Sequence, residues 1–184
     1  MRVIAGKARS LKLKTIDDMS TRPTTDRIKE TLFNMLNPYI TGARFLDLFA
    51  GSGAIGIEAL SRGAKSATFV DNNRKCIECI KENLRHTKLI EDGTVINKTA
   101  QLALEELRNK GSYDIIFIDP PYDNLYEKDV LARLIPYGLV NEDTIIIVEA
   151  SKDTDFGYIA DIGYEVFKNK EYKNNKHVFL RIKE

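Results

Sequence analysis

The sequence predicts an α/β protein built on a mostly parallel, doubly wound sheet of seven strands. Three observations carry that expectation. From Arg44 onward short apolar runs alternate with stretches of helical periodicity. A glycine-rich turn, Ala50-Gly51-Ser52-Gly53-Ala54-Ile55-Gly56, joins the first such run to the first following helix. The chain has 184 residues, 43% of them hydrophobic, which suits one substantial core and leaves no room for a dinucleotide domain plus a full substrate domain.

The elements follow in order. Val3–Leu13 alternates basic and apolar positions around Gly6 and predicts a small hairpin with a charged face. Arg2, Lys7, Arg9, Lys12 and Lys14 all precede the first acid, Asp17, a concentration that the overall net charge of +1 conceals. Such a stripe suits a phosphate backbone, and it equally suits an edge that uses lysines to block aggregation. Arg22-Pro23-Thr24-Thr25-Asp26 fits the start of a helix running through Leu36, with Ile28, Leu32, Met35 and Leu36 on one face. Strand Arg44–Phe49 leads through the glycine turn to a helix from about Gly53 to Ser61. Then come strand Ser66–Val70, helix Asn73–Thr87, strand Thr94–Asn97, helix Ala100–Lys110, strand Tyr113–Ile118, a helix near Glu127–Ile135 and strand Thr144–Glu149. Tyr164–Lys170 and His177–Ile182 flank Glu171–Lys176, where Asn174-Asn175 signals a turn, and predict a terminal antiparallel hairpin.

Several function classes are disfavoured. Cys76 and Cys79 form a CxxC, but there are no other cysteines, and the pair lies in a helical stretch whose Ile77, Ile80 and Leu84 mark a buried stripe. Buried thiols fit better than zinc or redox chemistry, so no metal site is expected. His86 and His177 read as surface or satisfied residues. No run is long and apolar enough to span a bilayer, and Met1–Lys14 lacks the apolar stretch of a signal peptide. A soluble, cytoplasmic chain without membrane contact is expected.

The chemistry concentrates at two places. Asp119-Pro120-Pro121-Tyr122 ends an apolar strand. Consecutive prolines fix the backbone and offer carbonyls without N–H groups, the carboxylate adds acceptors, and the ring offers a face for stacking. This combination suits a planar amine such as a nucleobase amino group. The glycine turn, with a strand before it and a helix after it, suits an adenosine-containing cofactor, and Asp71 at the end of the next strand stands where a ribose diol would be bound. An NAD-binding unit would share these features. S-adenosylmethionine is favoured because Asp47 just before the turn would repel a pyrophosphate, and because an amine-gripping turn suits methyl transfer to nitrogen. Ligands bind beyond the carboxyl ends of such strands, which brings Gly51, Asp71 and Asp119 to one edge.

Arg2-Val3-Ile4-Ala5-Gly6, Arg22-Pro23-Thr24-Thr25-Asp26-Arg27, Glu30-Thr31-Leu32-Phe33-Asn34, Asp47-Leu48-Phe49-Ala50-Gly51-Ser52-Gly53 and Asp119-Pro120-Pro121-Tyr122 together resemble the RsmD-type 16S rRNA (guanine-N2)-methyltransferase family. The Asp-Pro-Pro-Tyr turn is shared with adenine-N6 and other amino methyltransferases, and the amino-terminal motifs narrow the resemblance. The resemblance implies a class I S-adenosylmethionine-dependent methyltransferase fold, Rossmann-like, over residues 1–184 as a single domain, with 1–22 as a basic hairpin extension. It implies methylation of N2 on one guanine of 16S rRNA, in an assembled or assembling small ribosomal subunit; a monomer is expected. It assigns Asp119, Pro120, Pro121 and Tyr122 to the catalytic turn. Asp47, Phe49, Gly51, Ser52, Gly53, Asp71, Asn72, Thr99 and Ala100 fall to the cofactor, with Arg22, Pro23 and Thr24 near its methionine end. The chain departs from the family pattern at Thr99-Ala100, where an acid commonly meets the adenine, and at Lys173-Asn174-Asn175. A DNA adenine-N6 methyltransferase, an NAD-binding oxidoreductase and a non-catalytic RNA-binding assembly factor are the alternatives.

Overall fold

The computed structural model describes residues 1–16, 25–121 and 126–184. Helix α1 (Asp26–Ile40) starts at Thr25, whose hydroxyl accepts from the Ile28 N–H at 3.3 Å and so satisfies a donor of the first turn. It is followed by β1 (Arg44–Leu48), α2 (Ala54–Ser61), β2 (Ser66–Asp71), α3 (Arg74–His86), β3 (Gly93–Asn97), α4 (Ala100–Leu107), β4 (Ile115–Ile118), α5 (Tyr126–Leu134), β5 (Ile145–Ser151), β6 (Tyr164–Glu171) and β7 (Asn175–Ile182). The expected elements from Arg44 onward lie where the pattern put them, with displaced ends. Phe49 leaves β1 because it turns left-handed (φ 63°), and α4 stops early because Arg108 leaves the helical conformation (ψ 130°). Asn175, expected in the terminal turn, instead opens β7.

The seven strands run in the order β3-β2-β1-β4-β5-β7-β6. β1 to β5 pair in parallel, and β7 runs antiparallel between β5 and β6. Strand order therefore reverses between β1 and β4, which opens a crevice beyond their carboxyl ends. Both faces are covered. Phe45, Phe69, Ile115, Phe117 and Ile147 pack with apolar residues of α1, α2 and α3. Leu46, Leu48, Val70, Ile116, Ile118, Ile146 and Val148 pack with those of α4 and α5. A strand buried on both faces reads as an unbroken apolar run, which is why Ile115–Ile118 carries no polar residue. α2 sits close to the sheet because Gly56 has no side chain: a Cβ there would lie 2.4 Å from the Phe69 ring.

The amino-terminal segment forms the small hairpin expected: an antiparallel bridge joins Arg2 to Lys12, and Val3 N–H donates to Leu11 O (2.9 Å), Ser10 N–H to Val3 O (2.8 Å) and Leu13 N–H to Met1 O (3.0 Å). Val3, Ala8 and Leu13 are its buried residues. The chain bends at Gly6 (φ 85°), where a Cβ would stand 1.8 Å from the Ser61 carbonyl oxygen. Lys7 N–H donates to that oxygen at 2.8 Å. Glu58 of α2 accepts from the N–H groups of Ile4 (2.9 Å) and Ala5 (3.1 Å). The same carboxylate pairs with Lys29 at 3.3 Å and Arg62 at 2.8 Å. Lys29 is fully buried, so the inner face of α1 is Lys29, Leu32, Phe33, Leu36 and Ile40, rotated from the expected stripe through Ile28 and Met35. No helix among the described residues is long and apolar enough to cross a membrane.

Candidate active site

Four carboxylates collect along the carboxyl edge of the parallel strands: Asp47 near the end of β1, Asp71 at the end of β2, Asp119 directly after β4 and Glu149 within β5. Asp47 is 2% exposed and accepts the Gly56 N–H at 3.0 Å. Gly53 precedes α2 and has no side chain to cap it, so Asp47 of the preceding strand does that work. Burial, with the Asp71 charge adding to it, pushes Asp47 up to about 7 against the opposing Gly56 hydrogen bond. The turn above it is left-handed at Phe49, Gly51 (φ 56°) and Gly53 (φ 79°). Asp71 fastens this turn, accepting the Gly51 N–H at 2.9 Å through one oxygen and the Asn73 N–H at 2.8 Å through the other. A Cβ on Gly51 would meet nothing within 4 Å, so the turn faces open space.

Asp119 continues β4, its N–H 3.4 Å from the Leu48 carbonyl. The residue is half-buried. Burial first, then the charges of Glu149 and Asp47, raise its pKa well above the ordinary carboxylate range. Glu149 is held from behind: it accepts from Asn175 Nδ2 at 2.6 Å and contacts His177 Nε2 at 3.0 Å. His177 is fully buried, edge-on to Phe117 with ring centroids 5.9 Å apart, and its Nδ1 lies 3.3 Å from the Tyr172 hydroxyl. This histidine is the satisfied residue that the sequence pattern suggested, and its partner Glu149 is one that the pattern did not single out.

The remaining expected residues divide. Ser52 is half-buried, and its carbonyl accepts from Asn83 Nδ2 at 2.9 Å, which steadies the glycine turn. Phe49 packs its ring 6.3 Å from that of Tyr126 at the start of α5. Asn72 is exposed beside Asp71. Thr99 caps α4 by accepting from Leu102 N–H at 3.4 Å, and Ala100 is buried in the core beneath it, so neither side chain is a free polar group for an adenine. Arg22, Pro23, Thr24 and Tyr122 lie outside the described residues. The basic residues of the amino-terminal segment are exposed. Arg2 pairs with Asp26 at 3.6 Å and Lys14 with Glu82 at 2.6 Å, whereas Lys7, Arg9 and Lys12 form no ion pair with a described residue. Cys76 and Cys79 are buried on α3, and Cys79 donates to the Lys14 carbonyl at 3.4 Å.

Besides Glu149, sequence reasoning missed Glu58, Asn83, Glu127 and Tyr158. Glu58 left a trace, as the only charged residue in the apolar helix Ala54–Ser61. Pro120 and Pro121 border a cleft of about 560 Å³ that reaches Glu127, Glu149 and Tyr158.

An adenosine-bearing molecule fits the β1–β2 side of this edge. The turn presents no side chain at Gly51, and Asp71 is a half-buried acceptor next to it. The Asp119-Pro120 backbone and carboxylate adjoin that space on the β4 side.

Comparison with known proteins agrees with this geometry. The family described as conserved hypothetical protein 95 matches residues 1–181. The Bacillus subtilis protein YlbH, provisionally named an rRNA methyltransferase, is 42% identical over 156 residues, covering 84% of this chain and 85% of that one. The ribosomal RNA small subunit methyltransferase D of Haemophilus influenzae is 39% identical over 154 residues, covering 83% and 80%. A solved structure from Escherichia coli, provisionally named the methyltransferase yhhF, superposes with a TM-score of 0.86 at 33% identity, covering 100% of this chain and 98% of that one.

Proposed function

The chain belongs to the ribosomal RNA small subunit methyltransferase D family, and from that premise and the geometry of its carboxylate edge we propose that it methylates the exocyclic N2 of a guanine in 16S rRNA. The reading places this guanine at a single site in an assembled or assembling small ribosomal subunit, with the enzyme acting as a monomer. The observation that carries it is Asp119 with Pro120 at the point where strand order reverses, an acceptor-only turn beside an open glycine loop.

S-adenosylmethionine supplies an electrophilic methyl group on its sulfonium. Asp71 holds the ribose hydroxyls, and the backbone of Gly51 to Gly53 passes close to the ligand because it carries no obstructing side chain at Gly51. Asp47 keeps α2 and the turn in register from below through Gly56. The target guanine leaves its stack and packs against Tyr122. Its N2 lone pair is delocalised into the ring and is a weak nucleophile. The Asp119 carboxylate and the Pro120 carbonyl accept from the two N–H groups, which turns the lone pair outward and stabilises positive charge as it grows on nitrogen. After the N–C bond has formed, Asp119 or water takes the surplus proton. A carboxyl whose pKa is raised by burial and by Glu149 and Asp47 is a stronger base for that step than an exposed aspartate. Lys7, Arg9 and Lys12, with Arg2 and Lys14, face the rRNA phosphates.

The test is transfer of labelled methyl to small subunits lacking the modification, alongside naked rRNA and duplex DNA. Label on a guanine of the subunits, abolished by Asp119→Ala with cofactor affinity retained, is the expected result. Label on DNA adenine alone would replace this reading with the adenine-N6 enzyme, and no label anywhere would leave a binding factor.

A further inference from the structure

The cleft beside Pro120 and Pro121 contains two polar groups that the reaction above does not use. Glu127, at the start of α5, is 6% exposed and lines the cleft, yet forms no hydrogen bond or ion pair with any described residue. The Tyr158 hydroxyl is buried in the same wall, without a hydrogen-bond partner among the described residues. Glu149 shares the cleft but is engaged at both oxygens by Asn175 and His177. A buried hydroxyl without a partner among the described residues forgoes about 1–3 kcal/mol of hydrogen bonding and is expected to meet a ligand, and the Glu127 carboxylate lines the same cleft beside it.

Their chemistry is complementary to one base. Burial, then the charges of Glu127 and Asp155, raise the pKa of Tyr158, which keeps its proton as a donor. Glu127 lies in the first turn of α5 and offers two acceptor oxygens to the cleft. Asp119 and Pro120 supply further acceptors. The Watson–Crick edge of guanine offers an acceptor at O6 followed by donors at N1–H and N2–H. Adenine and cytosine lead with a donor, and uracil ends on an acceptor.

The geometry points to Glu127 and Tyr158 as the residues that select guanine, Glu127 accepting from N1–H and Tyr158 donating to O6 while Asp119 and Pro120 hold N2. This assignment rests on the guanine-N2 reading and deepens it.

The experiment compares small subunits carrying guanosine at the target with subunits carrying 2-aminopurine riboside there. The analogue keeps the 2-amino group, lacks O6 and has an unprotonated N1. kcat/KM for both is measured with the unaltered enzyme, Glu127→Gln and Tyr158→Phe, and binding of S-adenosylhomocysteine by calorimetry reports on the fold of each. The unaltered enzyme is expected to favour guanine by about a hundredfold or more. Glu127→Gln should lose roughly tenfold or more on guanine. It should gain on the analogue, because the glutamine amide can donate to the bare N1. Tyr158→Phe should lose severalfold on guanine alone. Unchanged guanine preference in both variants, or equal losses on the two substrates with cofactor affinity intact, overturns the assignment while leaving the guanine-N2 reading standing. Failure of the unaltered enzyme to methylate guanine in subunits overturns both. If Glu127→Gln does not bind the cofactor product, the Tyr158→Phe preference decides.

Discussion

Glu58 is buried and Asp119 half-buried, among opposite kinds of neighbour. Glu58 is surrounded by compensation: Lys29 at 3.3 Å, Arg62 at 2.8 Å and the N–H groups of Ile4 and Ala5. Asp119 faces Glu149 and Asp47, two more carboxylates, and burial and these charges hold its pKa high. The first arrangement ties a segment to the fold. The second stores electrostatic tension where a ligand with N–H donors would relieve it. The lysine of the compensated pair is itself under strain: burial lowers the Lys29 pKa, and the Glu58 charge only partly opposes the fall. A buried ion pair is thus a local lock whose value appears when one half is removed.

The contrast yields predictions of decreasing size. Glu58→Ala leaves Lys29 buried and unpaired and frees the amino-terminal loop, and should destabilise the fold by about 3–5 kcal/mol in urea unfolding. A loss below about 1 kcal/mol would mean that the lock carries little. Asp119→Asn should do the reverse. Turnover should fall roughly a hundred- to a thousandfold, while the unfolding midpoint stays level or rises because one charge leaves a repulsive group. A matching drop in stability would break the comparison. The same reasoning gives a pH profile: kcat/KM rises with pH as Asp119 ionises, through a window displaced above the ordinary carboxylate range.

Asp47 gives a smaller effect with a definite sign. Its folded pKa is raised to about 7, against about 4 in an unfolded chain. Below the unfolded value the group is neutral in both states and the full stability is present. As pH rises the unfolded chain ionises first, so stability falls between those two values and then levels. Asp47→Asn keeps an oxygen for the Gly56 N–H and should flatten that slope in a pH series of urea midpoints. The smallest effect on folding belongs to Lys7, Arg9 and Lys12, exposed and free of ion pairs among the described residues. Replacing all three by alanine should leave the midpoint unchanged while weakening subunit binding and making it less salt-dependent. Unaltered salt dependence would remove them from the RNA-facing surface.

Much of this fold was legible in the chain. The alternation of strand and helix, the parallel order and the terminal hairpin follow from periodicity, which records how many faces an element buries. The site was legible where its residues sit next to breaks in that pattern: Asp47, Asp71 and Asp119 are acids at strand ends, and Gly51 and Gly53 interrupt an apolar run. The amino-terminal hairpin was legible from its alternation of lysine with apolar residues, but what it packs on was not, because that pattern looks the same whether a strand or the end of a helix lies beneath. Here Gly6 is pressed against the Ser61 carbonyl and the loop wraps α2.

Which elements form, and which strand ends carry acids, follows from the chain alone, because both depend on near neighbours and on the preference of apolar side chains for burial. Long-range packing set the rest: Lys29 lies inside, Asp47 is spent on Gly56, Glu149 is braced by His177 from another strand, and Glu127 and Tyr158 share a cleft without satisfying each other. One cause underlies all four. A polar group's state depends on the water it loses and the partner it gains, and those partners come from other elements, where no periodicity along the chain can point.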